Sequence, residues 1–159
     1  MRMRFLGCLG TGLACLLLLW QSEVSAGGKS DSKVKATATA TKLGADGKQT
    51  VTITLDIEKG WHIYANPVGF KKFADNATDV TFKAKDKVVA DVQYPVGKLK
   101  MDMDGKDTIE YRIYEGRVVL QAQLKRAPGD TSPLQISIDV NACDKTTCLF
   151  TGTVKLTVP

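Results

Sequence analysis

Past residue 26 the chain has very little of what most active sites are built from: two cysteines, Cys143 and Cys148, and a single histidine, His62. Two sulfurs and one imidazole fall short of the four ligands that a structural zinc site usually takes, so no metal site is expected, nor any other cofactor. Aromatic residues make up only 7% of the sequence. No lysine- and arginine-rich stripe interleaves with them, which argues against nucleic-acid binding. No serine, aspartate or glutamate stands in a hydrolase motif, and no glycine-rich loop of the nucleotide-binding kind occurs. Long apolar runs are also missing. The longest, residues 6–20, falls short of the about 20 residues that a spanning helix needs.

That apolar run has a different meaning. Arg2 and Arg4 precede it and the small residues Val24-Ser25-Ala26 follow it, the three-part pattern of a secretory signal peptide. Residues 1–26 are therefore expected to be removed on export, to the periplasm or otherwise out of the cytoplasm, leaving a product without stable membrane insertion. Cys8 and Cys15 lie inside the run rather than just after it, so they read as small apolar residues discarded with the signal, not as lipid attachment points. The formal net charge of +5 is spread over lysines that alternate with acids, as in Lys85-Asp86-Lys87, and reads as a solvated surface.

Residues 27–32 form a small, polar leader, expected to be flexible, and 33–159 are long enough for one domain with its own core. Period-two alternation dominates this part. Val34, Ala36, Ala38 and Ala40 mark one strand. Val51, Ile53, Leu55 and Ile57 mark the clearest one, with threonines on its wet face. An aromatic segment, 61–73, starts as a strand and turns irregular at Asn66-Pro67. Further strands are expected over 80–84, 88–94, 109–113, 118–124, 134–140 and 154–158. The charged stretch 98–107, with Met101, Met103 and Gly105, reads as an exposed loop. No segment keeps a helical period for three turns. Eight or nine short strands with turns between them predict an all-β sandwich.

The two cysteines sit five positions apart between two such strands. In an exported protein an even cysteine count points to a disulfide, here with no ambiguity of pairing. As a staple it contributes only about 2 kcal/mol, because the closed loop is short, and a domain of this size does not depend on it. Exchange chemistry needs one accessible sulfur and a second close enough to resolve the mixed disulfide. Counting parity from Leu134, Ile136, Ile138 and Val140 puts Cys143 on the wet face and Cys148 with the inward Val154 and Leu156. Cys143 is thus expected to be the accessible atom. Lys145 favours a thiolate there and Asp144 opposes it. His62 could activate a thiol, although its place between Trp61 and Ile63 in an aromatic strand fits a packed or hydrogen-bonded histidine better. On the residues themselves, two readings stay open. One is a redox pair. The other is a structural disulfide in a non-catalytic binding module whose contact surface is the 61–73 segment.

A resemblance bears on that choice. Gly60-Trp61-His62-Ile63-Tyr64-Ala65-Asn66-Pro67, Ala90-Asp91-Val92-Gln93-Tyr94-Pro95, Ile113-Tyr114-Glu115-Gly116, Ala142-Cys143 and Cys148-Leu149 occur in an order that resembles the N-terminal periplasmic domain of the thiol:disulfide interchange protein DsbD. It covers nearly all of residues 33–159. It implies an immunoglobulin-like β-sandwich with a cysteine-bearing hairpin and a cap loop, in which Cys143 and Cys148 are the redox pair. It also implies a cap within 98–107, with Met101, Asp102 and Met103 as its candidates, and Trp61, His62 and Tyr64 as supporting or partner-contact residues. The implied partners are thioredoxin-like proteins or domains and a separate membrane electron transporter, with the relay made in trans. Two departures stand out: no proline follows the second cysteine, and methionines occupy the cap in place of aromatics.

Overall fold

A computed structural model describes residues 28–159, so the signal-peptide expectation for 1–26 lies outside the described residues. The described residues form an immunoglobulin-like β-sandwich of eleven strands in three antiparallel sheets. The first sheet runs in the order β1 (Val34–Ala40), β2 (Lys48–Ile57), β8 (Arg117–Lys125), β5 (Val89–Gln93). Val51, Ile53 and Leu55 on β2 are fully buried, as are Leu120 and Ala122 on β8, while the residues between them stay partly or fully exposed. Each large aliphatic side chain buried this way is worth about 1.5–3 kcal/mol, which makes this alternation the main reason the sheet forms. β1 and β2 are joined through a turn at Gly47, whose φ is +79° and where a Cβ would come within 2.3 Å of the Arg126 carbonyl oxygen. Only glycine fits there.

The second sheet, in the order β11 (Gly152–Val158), β9 (Leu134–Val140), β4 (Asp79–Lys83), brings Leu134, Ile136 and Ile138 into the same core. The third follows the order β10 (Ala142–Cys143), β3 (His62–Tyr64), β7 (Asp107–Tyr114), β6 (Lys98–Asp104). Its two faces have separate duties. Ala142, Ile63 and Tyr114, which are neighbours in register, belong to the main core. Cys143, Tyr64, Ile113 and Tyr111 face the other way and form a second, smaller cluster with Val68, joined by Phe70 and Phe73.

Two expectations are corrected here. The stretch 98–107 is not a loop: 98–104 is the edge strand β6, paired with β7 from Lys98↔Ile113 to Asp104↔Asp107 around the two-residue turn Gly105-Lys106. Its alternation was obscured because the face turned toward the small cluster carries lysines and aspartates, while Leu99, Met101 and Met103 are exposed. Nor is 27–32 a free polar leader over its described part. Ser30 is fully buried in a 3-10 turn, Ser30–Lys33. Its amide and hydroxyl both donate to the Phe150 carbonyl oxygen, at 2.9 and 2.8 Å, and its Oγ accepts the Ala142 amide at 2.8 Å. A buried backbone N–H must find an acceptor, and the small hydroxyl of Ser30 supplies it.

Candidate active site at the cysteine hairpin

Cys143 and Cys148 are joined in a disulfide with their Cα atoms 4.0 Å apart. The chain leaves the second sheet at Val140, crosses at Asn141, and enters the third as β10, where Cys143 lies opposite His62. Leu149 donates its amide to the Ala142 carbonyl oxygen at 2.9 Å, closing the hairpin, and Asp144 donates to Thr147 at 2.9 Å across its tip. The Asp144 carboxylate organises that tip. Its Oδ1 accepts the amides of Thr146 (2.7 Å) and Thr147 (2.8 Å) and the Thr146 hydroxyl. These backbone donors hold the Asp144 carboxyl below its ordinary range. Asp144 is thus committed to the turn.

One sulfur-bearing residue is sheltered and the other is open, but in the reverse order from the parity count. Cys143 is 3% exposed and Cys148 is exposed. The count failed because the chain changes sheet at Asn141, so the inward–outward alternation of β9 does not carry into β10. Both Ala142 and Cys143 are buried, one toward each core.

A cavity of 210 Å3 opens over the disulfide. Five of the residues expected at the site line it: Cys143, Cys148, His62, Tyr64 and Asp102. Lys100, Tyr111 and Phe73, which the sequence reading did not single out, line it too. Register explains the set. Tyr64 pairs with Ile113, and Tyr111 with Lys100, so His62, Tyr64, Tyr111, Lys100 and Asp102 share the face that carries Cys143. Met101 and Met103 fall between them on the opposite face, 62% and 60% exposed, and do not line the cavity. Aromatic cover comes instead from Phe73, on a short 3-10 helix at Lys71–Asn76. Its ring centroid lies 5.1 Å from those of both Tyr64 and Tyr111. Such tilted and edge-on contacts are favourable beyond the area they bury. Trp61 is set apart. It lies beneath the Lys33 ammonium, 4.9 Å from its ring, and lines a neighbouring groove of 540 Å3 that shares His62, Lys100, Asp144 and Lys145 with the cavity.

Two polar atoms lie 3.8 Å from Cys143 Sγ, the Tyr64 hydroxyl and the Asn141 side-chain oxygen. Burial raises the Tyr64 phenol above its ordinary range, so it stays protonated and can donate toward sulfur. Burial likewise raises Tyr111, whose hydroxyl is 3.5 Å from Asp102. The His62 Nε2 is 3.3 Å from Lys100 Nζ. Burial first, and the Lys100 charge second, hold the His62 imidazole below its ordinary range. Among the described residues no group of three histidine, cysteine, aspartate or glutamate side chains is placed to hold a metal ion. No helix among them is long and apolar enough to cross a membrane.

Fold and site together define an immunoglobulin-like domain that carries a half-sheltered disulfide on a short hairpin. The chain belongs to the family of the thiol:disulfide interchange protein DsbD, N-terminal domain, whose model it matches over residues 31–158; this family acts in thiol-disulfide interchange. Among solved structures it is similar to the N-terminal periplasmic domain of ScsB from Proteus mirabilis. The TM-score is 0.56 and the identity 16%, over 79% of this chain and 46% of that one. The chain thus spans less than half the length of that domain. The GAE domain of GGA1 from yeast is also matched (TM-score 0.49, 12% identity, 83% and 96% of the two chains). So is the reduced DsbD N-terminal domain of Neisseria meningitidis (TM-score 0.42, 12% identity, 80% and 86%). No curated protein sequence matches the chain.

Proposed function

We propose that this domain exchanges its Cys143–Cys148 disulfide with protein dithiols outside the cytoplasm, relaying electron pairs between thioredoxin-like partners. A membrane electron transporter is a source that fits such a relay. The observation that carries this reading is the asymmetry of the pair: an exposed Cys148 joined to a buried Cys143 beneath a cavity lined by aromatic side chains and by charges of both signs. A partner thiolate attacks Cys148 Sγ, the accessible atom, and Cys143 leaves as a thiolate. The partner's second thiolate then attacks its own sulfur in the mixed disulfide and releases Cys148. Two electrons have moved to the domain, and the two thiolates take up protons. In the reverse direction Cys148 attacks a partner disulfide and Cys143 resolves the product. The exposed outer edge, β6 with Asp102 beside Tyr111, serves as the rim that a partner must pass.

The test is trapping. A Cys143→Ala variant keeps the exposed sulfur and loses the resolving one, so it accumulates a mixed disulfide with a thioredoxin-like partner, seen as a reducible adduct by mass spectrometry. Cys148→Ala keeps only the buried sulfur and forms at least about tenfold less adduct, in proportion to its smaller access. Equal trapping by the two variants would remove the assigned order. No trapping by either would leave the disulfide as a structural bridge.

A further inference from the structure

Cys143 has a proton problem. When it resolves a mixed disulfide at Cys148 it must first become a thiolate, yet it lies in a cluster closed by Tyr64, Tyr111 and Phe73 and is only 3% exposed. Burial in such surroundings opposes the thiolate, and water has little access to collect the proton. Three side chains that can accept a proton line its cavity: Asp144 is committed to the hairpin turn, Asp102 lies beside the Tyr111 hydroxyl, and His62 faces Cys143 directly. His62 is the direct partner of Cys143 across the β3–β10 pair, a position that brings Cβ atoms to about 4.5–5.5 Å, and both side chains line the same cavity. His62 also borders the groove toward Glu58, Lys59 and Glu115, which gives it a way out to solvent.

We propose that His62, oriented by Lys100, is the base that takes the Cys143 proton when Cys143 resolves a mixed disulfide. The proposal rests on the exchange reading above and names the group that makes the buried half of the pair usable. The Lys100 ammonium, 3.3 Å from Nε2, donates to that nitrogen and leaves Nδ1 carrying the ring proton. The Nε2 lone pair takes the Cys143 thiol proton as the Lys100 bond to it gives way, and the imidazolium so formed then loses that proton to solvent through the groove. The freed Cys143 thiolate attacks Cys148 Sγ, the Cys148–partner sulfur bond breaks, and the partner leaves as a thiolate with the electron pair. The groups facing His62 are named by the packing. Lys100 on β6 lowers its proton affinity, Glu115 after β7 and Asp144 after β10 raise it, and Tyr64 and Tyr111 stay neutral. Burial and Lys100 outweigh the two carboxylates, so the ring remains an unprotonated acceptor below the usual imidazole range.

The test uses the reduced protein and the small disulfide 5,5′-dithiobis(2-nitrobenzoate). Cys148 attacks it and releases one coloured thiolate at a rate set by reagent concentration. Cys143 then displaces the second thiolate at a rate independent of that concentration. The two phases separate attack from resolution. In His62→Gln the first phase stays within about twofold of the parent, the second slows by ~100-fold, a size usual for losing a general base, and its inflection below pH 6.5 disappears. In Lys100→Met, which leaves His62 in place, that inflection moves up toward the ordinary imidazole range. A second phase of parental rate and pH profile in His62→Gln overturns the proposal and leaves the exchange reading standing, as does an unmoved inflection in Lys100→Met. A parent protein that shows no second phase at all overturns the exchange reading itself.

Discussion

Far from the cysteines, one carboxyl group carries a measurable share of the protein's response to acid. The Asp130 Oδ1 accepts the Ser132 hydroxyl at 2.6 Å and its amide at 3.0 Å, and the buried Arg126 guanidinium lies 3.4 Å away. The hydroxyl and the amide, with Arg126 behind them, hold the carboxyl at about 2, against an ordinary value of 3.8. A carboxyl depressed in the folded state stabilises it above the unfolded value, and that contribution is lost as pH falls toward the folded one. Asp130→Asn should therefore flatten the decline in stability between about pH 4 and pH 2, read as urea midpoints across that range. It should also lower stability at neutral pH, because Arg126, bonded to Gln49 and Ser132, stays buried without its countercharge. A variant whose midpoint declines in parallel with the parent would show that the carboxyl has no such role.

Among the elements, the N-terminal turn has a role that its composition hides. Ser30 satisfies the buried Ala142 amide next to Cys143 and is itself held by the Phe150 carbonyl beyond Cys148, so one hydroxyl spans both arms of the cysteine hairpin. In Ser30→Ala the Ala142 amide loses its acceptor, at a cost of about 1–3 kcal/mol. Hydrogen exchange should show faster exchange at Ala142 and a lower global stability. Unchanged protection there would mean that the turn merely rests on the hairpin. Nothing in Gly-Lys-Ser-Asp announces this contact, because it spans 112 positions of sequence. The central strands were legible for the opposite reason. Val51 to Ile57 and Val118 to Leu124 alternate so regularly that one face has to be buried. β6 was not, because its inward positions are Lys100 and Asp102. Cys143 was misplaced because parity is only meaningful within one sheet. The pair itself, with His62, Tyr64 and Asp102, was readable from motif order. Lys100, Tyr111 and Phe73 needed the pairing register, although the shared parity of Lys98, Lys100 and Asp102 was a usable signal.

For the molecule as a whole, the core and the disulfide make unequal claims on stability. The main cluster draws fully buried aliphatic residues from all three sheets, whereas the disulfide closes a loop of sequence separation 5 and contributes about 2 kcal/mol. Reduction should lower the melting temperature by only several degrees and keep a single cooperative transition. Leu120→Ala, at a position with no exposed surface, should cost about 2–5 kcal/mol and lower it further. Thermal melts of oxidised, reduced and Leu120→Ala protein check the ranking. A protein that unfolds on reduction would need its disulfide as a strut, which would count against the exchange proposed above.

The division of labour along β3 has a consequence for change over time. Ile63 looks into the large core while His62 and Tyr64, one step to either side, look into the site. Substitutions at 62 and 64 can therefore alter the reactivity of the pair while leaving the main core intact, with any loss of packing at 64 confined to the smaller cluster around Phe73 and Tyr111. A scaffold wired this way can be retuned to a new redox partner, by mutation or by design, in steps that each leave a folded protein.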